Sequence, residues 1–76
     1  MSKRRKVFSG ALVITVLVKR FDFSVISQKG SHVKLRHLDG RTTIIPLHKE
    51  LAPGTLSSVL SLAGVTRKRF LDSLGK

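Results

Sequence analysis

Apolar residues in this chain follow a helical spacing, then a strand spacing, then a helical spacing again. Ile14, Leu17, Val18 and Phe21 recur at i, i+3, i+4, i+7, the stripe of an amphipathic helix. Ser9 stands where an N-cap is needed, and Phe8 and Val13 flank it at the spacing of a hydrophobic staple. The β-branched residues Val13, Ile14, Thr15, Val16 and Val18 pull toward strand. The cap, the length and the stripe favour helix. The period then drops to two. "FSVISQ" (Phe23–Gln28) reads as a strand, Lys29-Gly30-Ser31 as a turn, and "HVKLRH" (His32–His37) alternates strictly as a second strand. Leu38-Asp39-Gly40-Arg41 carries the Asp-Gly hairpin signal. Thr42–His48 is a third strand, and its Pro46, with no N–H to donate, belongs at a sheet edge or a bulge. Helical spacing returns with Pro53 in a first turn, Leu56, Val59, Leu60 and Ala63 as the buried stripe, and Gly64 as the stop. Thr66 caps a last short helix, where Val65 and Phe70 form a second staple and Phe70, Leu71 and Leu74 close the core.

The order α-β-β-β-α-α predicts one small α+β domain over residues 7–76, a three-stranded antiparallel sheet with helices on one face and the other face open. Residues 1–6 form a basic, flexible lead-in. "SKRRK" followed by "VFSGALVITVLV" imitates the first two regions of a signal peptide, but no A-x-A site follows. The apolar run from Val7 to Val18 is too short to span a bilayer and is broken by Ser9, Gly10 and Thr15, so no membrane-spanning segment is expected.

Charge narrows the function. Fifteen Lys and Arg face four acids, Asp22, Asp39, Glu50 and Asp72, for a net charge of +11 on 76 residues. Such a field attracts polyanions. Nucleic acid leads as partner, an anionic membrane surface comes second, and an acidic protein is a third that does not exclude the first. Four scattered acids argue against paired-carboxylate glycoside chemistry and against hard-metal nuclease sites. There is no cysteine, which removes thiolate metal sites and is compatible with a cytoplasmic setting. No metal and no cofactor are expected.

The strand alternation singles out one histidine. Val33, Leu35 and His37 share the core side of the second strand, which puts His32, Lys34 and Arg36 on the open side, with Lys29 nearby. Cations there can hold phosphates. An imidazole can move a proton near neutral pH. RNA brings its own nucleophile, the 2′-OH, so one base and a few cations suffice for strand scission without metal. The plainer alternative is that His32 is a surface polar residue at a hairpin mouth. His37 fits a half-buried strand end, and His48 fits either a structural role or a second active-site group. Gly30 serves a turn that needs positive φ, or lets the backbone approach a phosphate.

"QKGSHVKLRHLDGR", then "IPLHKELAPGTLSSVLSLAG", then a short "FL" helix together resemble a HicA-type toxin over roughly residues 8–74. The resemblance implies an α-β-β-β-α fold like that of double-stranded RNA-binding domains and a ribonuclease that cuts mRNA. It places the family's essential histidine at His32, within G-S-H, and it implies a HicB antitoxin that masks the active surface. Lys29, Lys34 and Arg36 would then neutralise phosphate. Gly30 and Ser31 would shape the approach, with the Ser31 hydroxyl on a non-bridging oxygen. The chain departs from its relatives at Asp22, where they carry glycine, in a loop one residue longer, in the apolar Leu12, Val16 and Val18, and in Arg67-Lys68-Arg69 opening the last helix. The apolar trio is expected to be exposed to a partner, and the last-helix cations to contact RNA or a partner. Two other classes stay open: a non-catalytic RNA-binding module on the same face, and an interaction protein for an acidic partner.

Overall fold

A computed structural model describes residues 7–75; the basic lead-in at 1–6 lies outside the described residues. The elements run α1 (Gly10–Arg20), β1 (Phe23–Lys29), β2 (His32–His37), β3 (Thr42–Pro46), α2 (Pro53–Ala63) and α3 (Arg67–Leu74). The strands form one antiparallel sheet in the order β1-β2-β3. It is therefore an α+β fold of the expected order.

Local chemistry explains most of the boundaries. The Ser9 side chain accepts from the Leu12 N–H at 3.0 Å, and the Thr66 side chain accepts from the Arg69 N–H at 3.1 Å. Each satisfies a donor that the first helical turn leaves open. Both staples are buried, and Phe8 meets Phe70 edge to face with centroids 5.4 Å apart. Gly64 ends α2 at φ +70°, with Val65 N–H donating to Leu60 O at 3.0 Å.

α1 turns a different face inward than its spacing suggested. Val13, Val16 and Leu17 are buried, Ile14 and Phe21 are only partly so, and Val18 is 38% exposed. The reason is Gly10, on the same side as Val13 and Leu17. A Cβ there would overlap the Pro46 carbonyl oxygen, so only glycine lets the helix start touch the end of β3. The Gly10 N–H donates to His48 O at 2.9 Å and locks that contact. Of the three α1 residues expected to face a partner, Leu12 and Val18 are exposed, whereas Val16 is in the core.

β3 stops at Pro46 rather than His48, and β1 continues to Lys29. As expected of its proline, β3 is an edge strand. Thr43 is the buried polar residue among those described, and its hydroxyl donates to Val59 O at 2.9 Å, tying β3 to α2. Two of the three α3 cations find local partners: Lys68 pairs with Asp72 at 3.0 Å, and the Arg69 guanidinium lies 5.6 Å from the Phe21 ring centre. The apolar run Val7–Val18 supplies most of α1, and no helix among the described residues is long and apolar enough to cross a membrane.

Candidate active site

The β1–β2 hairpin closes through Gly30 and Ser31. Gly30 takes φ +59° and nothing lies within contact of a Cβ there, so backbone conformation alone demands glycine. The loop is held from two sides. Gln28 Nε2 donates to Gly30 O at 3.0 Å, and Leu47 N–H donates to Ser31 O at 2.7 Å. His32 follows directly, at the first position of the central strand, with its side chain exposed.

Cross-strand register arranges the open face in rows. Lys29 stands opposite His32; Ser27, Lys34 and Ile44 form the next row; Ser24, Arg36 and Thr42 form the third. Directly opposed side chains sit about 4.5–5.5 Å apart at Cβ, so the Lys29 ammonium can reach any anion that touches His32. The core side of β2 carries Val33 and Leu35, both buried.

A bulge in β1 creates this arrangement. The register slips between Val25 and Ser27, so that Ile26 is the extra residue. Simple alternation from the buried Phe23 would send Ser27 and Lys29 toward the helices. One added residue reverses that phase and brings both onto the face of His32 and Lys34.

The result is a shallow cavity of ≈ 590 Å³ lined by Ser27, Gln28, Lys29, His32, Lys34 and Ile44. Its size falls in the range of small-ligand sites. No acidic residue lines it. Among the described residues His32, Lys29, Lys34 and Arg36 have no ion pair, and the His32 ring has no hydrogen-bond partner, so both ring nitrogens are available. Of the residues singled out in the sequence, the fold brings Lys29, His32 and Lys34 into one cavity. Gly30 and Ser31 stay in the loop, and Arg36 lies four residues along β2 from His32, about 13 Å at strand rise. Ser27, Gln28 and Ile44 were missed. Ile44 had a signal, as a large apolar residue at an outward position between Thr43 and Ile45.

The other histidines stand elsewhere. His37 Nδ1 accepts from the Asp39 N–H at 3.0 Å, and its ring meets Phe23 edge-on with centroids 5.1 Å apart. His48 lies beyond β3, exposed, and does not line the cavity. Asp39 belongs to the His37 end. Arg41, bonding it through the guanidinium and then through the backbone N–H, holds its carboxyl down to about 2.

A three-stranded sheet with a histidine and cations on its bare face now has a family to be compared with. The model described as HicA toxin of bacterial toxin-antitoxin matches residues 12–65 of the 76. The chain belongs to the HicA toxin family. It is thus a toxin of a toxin–antitoxin system, in a family whose members are generally ribonucleases, and membership implies RNA as substrate and an antitoxin as partner. The matched span holds nearly all of α1, the whole sheet and α2; α3 lies beyond it, although its Phe70 is fully buried in the core. No curated protein matches the chain.

Proposed function

We propose that this HicA toxin is a metal-independent endoribonuclease, an mRNA interferase, with His32 as its acid–base catalyst. The observation that carries the reading is the cavity in which an unpartnered imidazole shares space with Lys29 and Lys34 and no carboxylate. His32 takes the proton of a ribose 2′-OH. The 2′-oxygen attacks the adjacent phosphorus, the bond to the 5′-oxygen breaks, and that oxygen takes a proton from water or a neighbouring ammonium. A 2′,3′-cyclic phosphate and a 5′-hydroxyl result. Lys29 and Lys34 neutralise charge growing on the non-bridging oxygens, as preorganised cations do at other phosphoryl centres. Arg36 extends the cationic track along β2. Gly30 and Ser31 shape the approach, with the Ser31 hydroxyl free to meet a non-bridging oxygen. With no carboxylate in the cavity, nothing there would hold a hard cation.

A HicB-type antitoxin would neutralise the toxin by covering this face, and the setting is cytoplasmic, where mRNA is met. The decisive experiment incubates RNA with purified protein in EDTA, wild type beside His32→Ala, with DNA of the same sequence as control. Cleavage of RNA alone, by wild type alone, is the expected result. Equal cutting by both proteins, or cutting of DNA, overturns the mechanism. Absence of cutting by either would leave the RNA-binding module as the better reading.

A further inference from the structure

Cations and a histidine account for phosphate, but not for Ile44. This residue is 48% exposed, lies directly across from Lys34, and forms part of the wall of the His32 cavity. Its neighbours Thr43 and Ile45 are buried, so the strand turns Ile44 outward while the core is filled without it. A lone exposed apolar side chain on a surface is ordinary. One set among Lys29, His32 and Lys34 in a nucleotide-sized cavity is not explained by phosphate binding, which polar residues alone would serve.

We infer that Ile44 is the seat of a nucleobase, and that it decides which nucleotide of a single-stranded RNA is accepted beside the scissile phosphate. This rests on the ribonuclease reading above. A nucleotide is an anion joined to a flat ring with apolar faces, and the cavity offers both matching surfaces: ammonium groups and an aliphatic platform. Ile44 and His32 are diagonal neighbours across β2 and β3, roughly 7–8 Å apart. That is about one nucleotide from the reacting group. Proteins that grip single strands commonly stack bases on aromatic rings. Here Phe8, Phe23 and Phe70 are buried and Phe21 caps α1 beside His37 and Arg41, outside the His32 cavity, so an aliphatic side chain takes the part. The substrate must be unpaired at that position, because duplex bases keep their faces against one another.

Two probes separate base from phosphate: a single-stranded 2′-O-methyl RNA, which cannot be cut by the 2′-OH route, and inorganic polyphosphate. Ile44→Thr, which keeps β-branching and removes the apolar tip, should weaken the RNA about 5-fold and leave polyphosphate and the salt dependence unchanged. Ile44→Phe should tighten the RNA and again leave polyphosphate alone. In cleavage maps of natural RNA, Ile44→Thr should broaden the set of cut sites while His32-dependent cutting persists. Equal changes for both probes, or none for the RNA, overturn the inference. So does a loss confined to antitoxin binding, which would assign Ile44 to the partner protein. If wild type cuts no RNA, the ribonuclease reading fails, and the two binding probes still decide whether a base sits on Ile44.

Discussion

His32 and His37 begin and end the same strand, and their surroundings share almost nothing. Five residues apart, they fall on opposite faces. The His37 side chain is 18% exposed, packs on Phe23 and accepts the Asp39 N–H. Its end of the sheet is closed by Arg41, which grips Asp39, donates to Ala63 O at 2.6 Å and covers Phe23. The His32 ring is exposed and unpartnered among the described residues, in a cavity lined by no acid and with a cation across the strand. One imidazole is used up in holding a loop; the other keeps both nitrogens for a ligand. Availability, not residue type, separates a histidine spent on structure from one free to meet a ligand.

The largest test of that contrast exchanges stability for activity at the two ends. His32→Ala should lower RNA cleavage by about 10²–10⁴-fold, the usual worth of a general acid–base group, with an unchanged melting temperature. His37→Ala should do the reverse. Losing the ring contact and the accepted hydrogen bond should cost about 1–1.5 kcal/mol and lower the melt by about 5–10 °C, with cleavage below the melt within about 2-fold of wild type. A stable, inactive His37→Ala would erase the distinction.

Arg41→Ala sharpens the structural side. The last turn of α2 leaves carbonyls open, and Arg41 satisfies that of Ala63. Its removal should cost about 1–2 kcal/mol in a denaturant titration, discounted for its partial exposure. On the other side, Lys34→Gln should weaken RNA binding several-fold and flatten the slope of log affinity against log salt by about 0.7, one single-strand phosphate contact. An unchanged slope would remove Lys34 from the phosphate track.

The smallest effect is an acid response confined to one end. The Asp39 carboxyl titrates near 2 in the fold, against about 3.9 in an unfolded chain. A depressed carboxylate stabilises fully above the unfolded value and loses that contribution as pH falls through the folded one. Amide signals of Gly40 and Arg41 should therefore move with a midpoint near pH 2, below the usual carboxylate range, while the Gly30 amide at the acid-free hairpin stays still. Asp39→Asn should abolish the movement.

Much of this was legible because it is local. Caps, staples and stops depend on a few neighbouring residues, so Ser9, Pro53, Gly64 and Thr66 could be placed from their spacing alone. The strict alternation of "HVKLRH" likewise assigned His32 and His37 to their faces. What escaped depends on partners distant in the chain. The inward face of α1 is chosen by Gly10 meeting Pro46, Thr43 matters through Val59, and Arg41 through Ala63, 22 residues away.

By itself, then, the order of residues determined the elements, the antiparallel hairpins, the strong positive field and the exposure of His32, since each follows from period, turn chemistry or charge. Only the tertiary structure decided that Ser27 and Lys29 join His32, because a bulge is defined by the partner strand and not by the bulged one. It alone decided that Ile44 and Gln28 complete the same cavity, because β1 and β3 meet that site only once the sheet has formed around β2.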